Sequence, residues 1–528
     1  MTANQIPTRY IRNKRLEQLA RDKRKQAGVE YPKAGQQDHI LIVRLNLAST
    51  SSANDANALR REVQDGLRRL CGLFERIESA VKKIDMLDSE GNLSSSPLKQ
   101  FNFSATVGFG VGFFDRLSIP NNKRPRRIKS MPDHVGLGDI TPYSLGQTDL
   151  LIQLGSTSDF VNRWVFENKI EARAFTSVKS EQHLIDGNES QDVPDIVTAI
   201  GGWATIADIH AGFQRIDGRN LMGFNDGISN PTPGSGIKFD DVVWTTEKDE
   251  GRILKDGTYM VFQKIEHDLD QWRQLSAHEQ EQWVGRNKVT GLLLGTPENE
   301  DQKFIEALKK QDPKAKQLLR RLLDNQSDPE KLFYNSEIFR NSVPAWSHVR
   351  KANPRQEKMP SGKELQKKII FRRGYPFMEA GLNNRTISGL LFVCFQRDIE
   401  NSFEFIKRNW LNNKDFPTPD VRPFTQHEKN KRSSQARFTP DEMRLIKNLD
   451  ISKRKLLGLH DREVLEAKIR ESTDHDTQNT GREGLAGPSE LGVVPTGDLV
   501  AIVPFGGGYY FIPPVPNRRI SDIGQQFF

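Results

Sequence analysis

The stretch Ile40-Leu41-Ile42-Val43-Arg44-Leu45-Asn46-Leu47 is dense in aliphatic and β-branched residues and reads as a buried strand. Downstream of it, Leu59, Val63, Leu67, Leu70, Phe74 and Ile77 recur at intervals of 4, 4, 3, 4 and 3. That rhythm lays one apolar stripe along a helix of about 22 residues. Residues 104–109 and 149–154 read as further strands, and Phe160, Trp164 and Val165 mark a second amphipathic helix. The succession of strand, helix, strand, strand and helix predicts an α+β layer of antiparallel sheet and helices, compatible with a ferredoxin-like unit.

The same grammar returns later. Residues 259–265 and 390–396 read as strands, 277–285 as part of a helix, and Phe403, Ile406 and Trp410 share one helical face. The run Gly506-Gly507-Gly508 predicts a tight connection between strands at 499–503 and 509–512. Two α+β domains of related layout are expected, 38–240 and 241–528, behind a basic tail at 1–37, without a residue-level repeat. Two segments read as insertions in the second domain. Residues 297–340 are rich in Lys and Glu with a helical pattern at Phe304, Leu308, Leu318, Leu319 and Leu322, and residues 425–487 read mostly as a polar surface loop.

A chain of 528 residues exceeds what one core usually supports. With 36% apolar and 28% charged residues, wholesale disorder is excluded. The net charge of +8 hints at nucleic acid, but its location argues otherwise. Residues 1–33 hold nine basic and three acidic side chains, a net +6, which leaves +2 for the rest. A broad phosphate-binding face is therefore not expected, and the tail reads as a solvated basic arm. Cys71 and Cys394 cannot build a disulfide framework or a Cys-rich metal site. Apolar runs such as Leu390-Leu391-Phe392-Val393-Cys394-Phe395 fall far short of the ~20 residues of a membrane span. No apolar region follows the basic N-terminus as in a secretory signal, so a cytoplasmic protein is expected.

Three local stretches carry candidate chemistry. In Gly218-Arg219-Asn220-Leu221-Met222-Gly223-Phe224-Asn225-Asp226-Gly227-Ile228-Ser229-Asn230-Pro231, one carboxylate stands between glycines that permit close backbone approach to a ligand. Taken alone, this composition reads first as a surface turn with a solvated aspartate. His348 lies in Trp346-Ser347-His348-Val349-Arg350-Lys351-Ala352-Asn353-Pro354-Arg355. A neutral imidazole is a good iron donor, though a lone histidine is more often structural. Phe371-Arg372-Arg373-Gly374-Tyr375 supplies two arginines, which in isolation read as solvated.

In this order the three resemble the dye-decolourising (DyP-type) heme peroxidase family. The GxxDG element is Gly223 to Gly227, the proximal histidine motif runs from His348 to Arg355, and the distal arginine element runs from Ile370 to Tyr375. Thr106-Val107-Gly108-Phe109-Gly110, Phe114-Asp115-Arg116-Leu117, Phe395-Gln396-Arg397-Asp398 and the segment from Gly506 to Pro514 are similar to the family as well. Coverage extends from about residue 38 to the end, apart from the two polar segments, which are longer than compact members carry.

The resemblance implies two ferredoxin-like domains of the dimeric α+β barrel superfamily, with one heme b per chain held mainly by the second. It implies His348 as proximal iron ligand, Asp226 as distal acid–base group and Arg372, the first of the pair, as distal arginine. Gly227, Ile228, Ser229, Asn353, Pro354 and Arg355 correspond to heme-contacting positions, with Arg355 facing a propionate. Asp398 resembles the carboxylate that accepts the other N–H of the proximal histidine and makes it more electron-donating. Hydrogen peroxide and a small aromatic or dye-like reductant are the implied partners, without nucleic acid or membrane span, and a homo-oligomer is compatible with this. Trp346, Tyr375 and Trp410 are candidates for relaying electrons to large reductants, and each reads first as a core aromatic. A heme- or porphyrin-handling protein with incidental peroxidase activity shares every one of these heme contacts and is the alternative.

Overall fold

The computed structural model describes residues 24–30, 37–48, 56–84, 103–132, 145–157, 159–167, 195–215, 217–225, 228–231, 239–327, 339, 342–344, 347–354, 368–380, 386–411 and 502–528. The first half places β1 (His39–Leu47), α1 (Ala56–Ile84), β2 (Ser104–Phe109), β3 (Leu150–Ser156), α2 (Asp159–Phe166) and β4 (Ala204–Phe213) in sequence. The second half has β5 (Thr258–His267), β6 (Phe371–Arg372), β7 (Tyr375–Ala380), β8 (Thr386–Gln396) and β9 (Ile502–Ile512). All pair antiparallel in one sheet of order β4-β1-β3-β2-β9-β5-β8-β6, with β7 also on β8. Each half, β4-β1-β3-β2 and β9-β5-β8-β7, runs fourth, first, third, second in its own chain order, which is the ferredoxin-like arrangement.

Both faces of the sheet are buried, so side chains sort by parity. Leu41, Val43 and Leu45 join Leu59, Val63, Leu67 and Phe74 of α1, the stripe foreseen from its spacing. Ile40 and Ile42 instead join Met260, Phe262, Val393, Phe395 and Tyr510 from the second half. Val165 of α2 is buried with the first group, while the side chains of Phe160 and Trp164 lie outside the described residues.

The halves join weakly along the sheet itself, since β2 and β9 share only the pair Phe109 and Phe511. Two residues on, the ladder would need the N–H of Pro513, which does not exist. The side chain of Gln26 takes that place. It accepts from the Val107 N–H at 2.8 Å and donates to the carbonyls of Val107 at 3.2 Å and Pro513 at 3.0 Å. Residues 24–30, part of the 1–37 stretch read as a basic tail, are thus packed into the fold. Val29 is fully buried in the cluster shared by the two halves.

At the opposite ends of the sheet, β4 and β7 approach and close it into a barrel-like form. Gln214 Nε2 donates to the Gly374 carbonyl at 2.8 Å. Inside this seam Arg44 pairs with Asp208 at 3.5 Å, His210 Nε2 lies 3.0 Å from Asp208, and Lys264 pairs with Glu379 at 2.7 Å. Burial pushes the Asp208 carboxyl up, but Arg44, His210 and Lys264 outweigh it and hold the group below its ordinary value.

The triple glycine at 506–508 departs from the expected turn. It lies inside one continuous strand, Ile502–Ile512. A Cβ on Gly507 would stand 1.9 Å from the Phe262 carbonyl oxygen, and Gly506 has φ +97° beside a register shift in the pairing with β5. The glycines serve close strand approach and a bulge, not a reversal of direction. The helical pattern near 297–340 is observed as α4 (Gln302–Lys309) and α5 (Pro313–Ser327), docked through Gln326, which accepts from the Leu293 N–H at 2.8 Å. The segment 425–487 lies outside the described residues. Among the described residues no helix is long and apolar enough to cross a membrane.

Candidate active site

Residues 217–225 and 228–231 are held from several sides. The Asn220 N–H bonds the Phe224 carbonyl at 2.9 Å, and Gly223 turns the chain at φ +91°, where a Cβ would stand 2.6 Å from Lys288 Cε. The Arg219 guanidinium donates to the carbonyls of Gly223 at 2.7 Å, Val289 at 2.8 Å and Lys288. Trp272 Nε1 donates to the Met222 carbonyl at 3.2 Å, and Arg286 reaches Ser229 Oγ at 3.4 Å. Burial pushes the neighbouring Lys288 ammonium down, and the nearby Arg219 charge adds to this against the opposing pull of Glu281.

Asn230 connects this loop to β6. Its Oδ1 accepts from the Arg372 N–H at 3.0 Å and its Nδ2 donates to the Arg372 carbonyl at 2.6 Å. The two adjacent arginines then diverge. Arg373 is buried, donating to the Gly28 carbonyl at 2.5 Å, the Tyr375 hydroxyl at 2.9 Å and Gln37 Oε1 at 3.5 Å. The half-buried Arg372 guanidinium has no hydrogen-bond or ion-pair partner among the described residues.

His348 opens α6 (His348–Ala352), behind Ser347 as the extended capping residue, and is half-buried. The short helix is wedged from two sides. Gly285 ends α3 (Ala277–Val284) at φ +89°, where a Cβ would stand 2.5 Å from Val349 and 2.7 Å from Ser347 Oγ. On the other side Ala352 packs with Ile370 on Ile406, Trp410 and Leu411. Ile370 precedes Arg372 by two residues, so the histidine helix and the arginine strand converge on one apolar cluster. The segment 400–411 that carries this cluster is wound as a π-helix, a form that frequents functional sites, rather than the ordinary helix its spacing suggested.

Asp398 stands just before that segment, accepting from the Asn401 N–H at 3.0 Å, and pairs with Arg127 at 2.8 Å. Glu404, buried one turn on, takes Lys129 at 3.0 Å. Burial first, then the Glu404 carboxylate, pushes the nearby Tyr509 phenol well above its ordinary value. Asn353 and Pro354 follow α6 directly, with Pro354 buried. Ile228 and Ser229 sit on the loop beside Gly291 and Arg286. Asp226, Gly227, Arg355 and Trp346 lie outside the described residues. Trp410 and Tyr375 are buried core aromatics. Asn230 was not singled out from sequence, although it stands within the quoted loop; an asparagine after a glycine-rich turn gives no hint of a partner 142 residues away.

The described residues thus bring together loop segments with fixed polar groups, an arginine whose guanidinium has no partner among the described residues, and a histidine helix seated on the apolar cluster that also takes Ile370. Two family models match the chain: the Dyp-type peroxidase C-terminal domain over residues 217–431 and its N-terminal domain over residues 44–183. The chain belongs to the Dyp-type peroxidase family. It is accordingly a heme peroxidase by class, with heme as cofactor and peroxide and a reductant as substrates. Relatives named deferrochelatase are similar: that of Shigella flexneri is 29% identical over 390 residues, covering 72% of this chain and 77% of that protein. The Yersinia pestis protein is 25% identical over 386 residues, covering 72% and 73%. Among solved structures, ferric DtpA from Streptomyces lividans is 23% identical with a TM-score of 0.47, covering 73% of this chain and 85% of that one. A DyP-type peroxidase from Cellulomonas bogoriensis is 19% identical with a TM-score of 0.49, covering 94% and 96%.

Proposed function

We propose that the chain reduces hydrogen peroxide and oxidises phenolic or dye-like reductants in one-electron steps, with His348 as proximal ligand of a heme b iron. The donor set fits such a group: one half-buried imidazole at a helix start and one guanidinium without a partner among the described residues. Ile228, Ser229, Asn353 and Pro354 would line the heme together with Gly227 and Arg355, the latter pairing with a propionate. Heme bound there supplies the redox iron that exchanges electrons with peroxide and reductant. In this reading Asp398 accepts the second imidazole N–H of His348, a bond it would make in addition to those from Asn401 and Arg127.

Asp226 moves one proton from the inner to the outer peroxide oxygen. A free aspartate has a pKa of about 3.9, so a carboxylate near a guanidinium stays ionised into acid and activity should favour low pH. Arg372 places fixed positive charge where negative charge develops. The observation that carries this reading is the contrast within the arginine pair, where every contact found for the guanidinium group belongs to Arg373. The test is a Soret spectrum and a peroxide-dependent dye assay on the wild type, His348→Ala and Asp226→Ala. Normal heme uptake by His348→Ala, or full turnover by Asp226→Ala, refutes the respective role.

The name of the relatives, deferrochelatase, favours a second reading in which the site handles heme iron and peroxidase turnover is incidental. Turnover of only a few per minute, without saturation by any reductant, together with iron release from bound heme, selects that reading.

A further inference from the structure

We propose that Asn230 is a positioning residue of the peroxide site, its side-chain amide locking the 217–231 loop to the Arg372 backbone. The proposal rests on the assignment of Asp226 and Arg372 given above. β6 is only two residues long and pairs with β8 on one edge, Phe371 opposite Phe395 and Arg372 opposite Cys394. The N–H and C=O of Arg372 are both taken by Asn230, at 3.0 and 2.6 Å. One planar amide thus plays the part of a neighbouring strand, supplying an acceptor and a donor side by side. A carboxylate offers no donor, a hydroxyl cannot span both groups, and a longer amide would push the loop away.

Position matters as much as bonding. Asn230 lies four residues after Asp226, so the same amide ties the segment bearing the proposed acid–base group to the strand bearing the proposed distal cation. The far side of the loop is anchored independently by Arg219 and Trp272. Loss of the Asn230 amide should therefore leave the loop attached but free to shift relative to Arg372. A misplacement of about 1 Å is enough to cost on the order of 100-fold in rate.

The test uses full-length heme-loaded protein and the variants Asn230→Ala, Asn230→Asp, Arg372→Ala and the double Asn230→Ala/Arg372→Ala. Asn230→Ala should keep the wild-type Soret maximum and heme stoichiometry, lose about 10- to 100-fold in kcat/KM for peroxide, and bind fluoride, an anion the guanidinium would hold, about tenfold more weakly. The double variant should be no worse than Arg372→Ala, because both changes remove the same contribution. Asn230→Asp should regain activity as pH falls below about 4, where its protonated carboxyl again offers a donor to the Arg372 carbonyl. That pH signature decides the matter even where Asn230→Ala does not fold. Wild-type kcat/KM in Asn230→Ala, losses that multiply in the double variant, or no acid recovery in Asn230→Asp each overturn the proposal. Full activity in Arg372→Ala shows instead that the underlying assignment of the distal arginine has failed.

Discussion

Replacing Arg372 and Arg373 in turn by alanine should separate catalysis from stability at adjacent positions. Arg373 makes two close charge-assisted bonds, to the Gly28 carbonyl at 2.5 Å and the Tyr375 hydroxyl at 2.9 Å, with Gln37 more distant at 3.5 Å. Gln37 and Tyr375 are buried, so water cannot replace the guanidinium. Hydrogen bonds to charged groups contribute about 1.5–3 kcal/mol each, which makes the expected loss about 4 kcal/mol for Arg373→Ala. At roughly 2 °C per kcal/mol for a large body, the thermal midpoint should fall by about 8 °C. Arg372→Ala removes a half-buried group without a described partner and should change stability by about 0.5 kcal/mol or less. Its peroxide kcat/KM should nevertheless drop by about 100- to 1,000-fold, the usual effect of deleting a charge-stabilising donor. Calorimetry and stopped-flow peroxide kinetics on the two variants measure both quantities. Equal loss of midpoint in the two, or a stable but inactive Arg373→Ala beside an active Arg372→Ala, refutes the reasoning.

Three further outcomes are expected. Gln26→Ala strands the Val107 and Pro513 backbone groups at the joint of the two halves and should cost about 2–3 kcal/mol in chemical denaturation, whereas an unchanged midpoint would show that water fills the gap. Gly507→Ala forces a methyl against the Phe262 carbonyl and should destabilise by about 3 kcal/mol or more; a well-folded variant with wild-type stability would contradict the close approach. Burial pushes the Asp249 carboxyl up, but bonds from Arg397 at 2.5 Å and from Thr246 outweigh it and hold it at about 2. Its stabilising contribution, about 1 kcal/mol, is present above the unfolded value near 3.8 and disappears as pH falls toward 2. Asp249→Asn should therefore differ from wild type at pH 6 and converge with it near pH 2, and parallel acid-unfolding curves would rule this out.

Much of the fold was legible because periodicity reports burial directly. The stripe from Leu59 to Ile77 and the apolar strand at 40–47 each needed only local spacing to be recognised, and both are buried as expected. The loop around Gly223 and the histidine segment were legible as motifs. What local reading could not decide was the reason for a glycine. The run at 506–508 has the composition of a turn, yet its glycines answer to a carbonyl on another strand. Residues 24–30 carry the composition of a solvated basic arm, but Val29 and Gln26 fill positions created by β2 and β9 far along the chain.

The arginine pair shows where the division lies. The amino-acid sequence alone determined that two cations stand side by side on a short extended segment, within a chain whose patterning specifies an α+β sheet and whose motifs resemble one family. Only the tertiary structure decided which cation is committed. Neighbouring residues on a strand face opposite sides, so one side chain meets Gly28, Gln37 and Tyr375 while the other does not. Those partners come from positions up to 345 residues away, and no local pattern encodes such a meeting. The barrel's closure brings them together, and with them the clamp of Asn230 on Arg372.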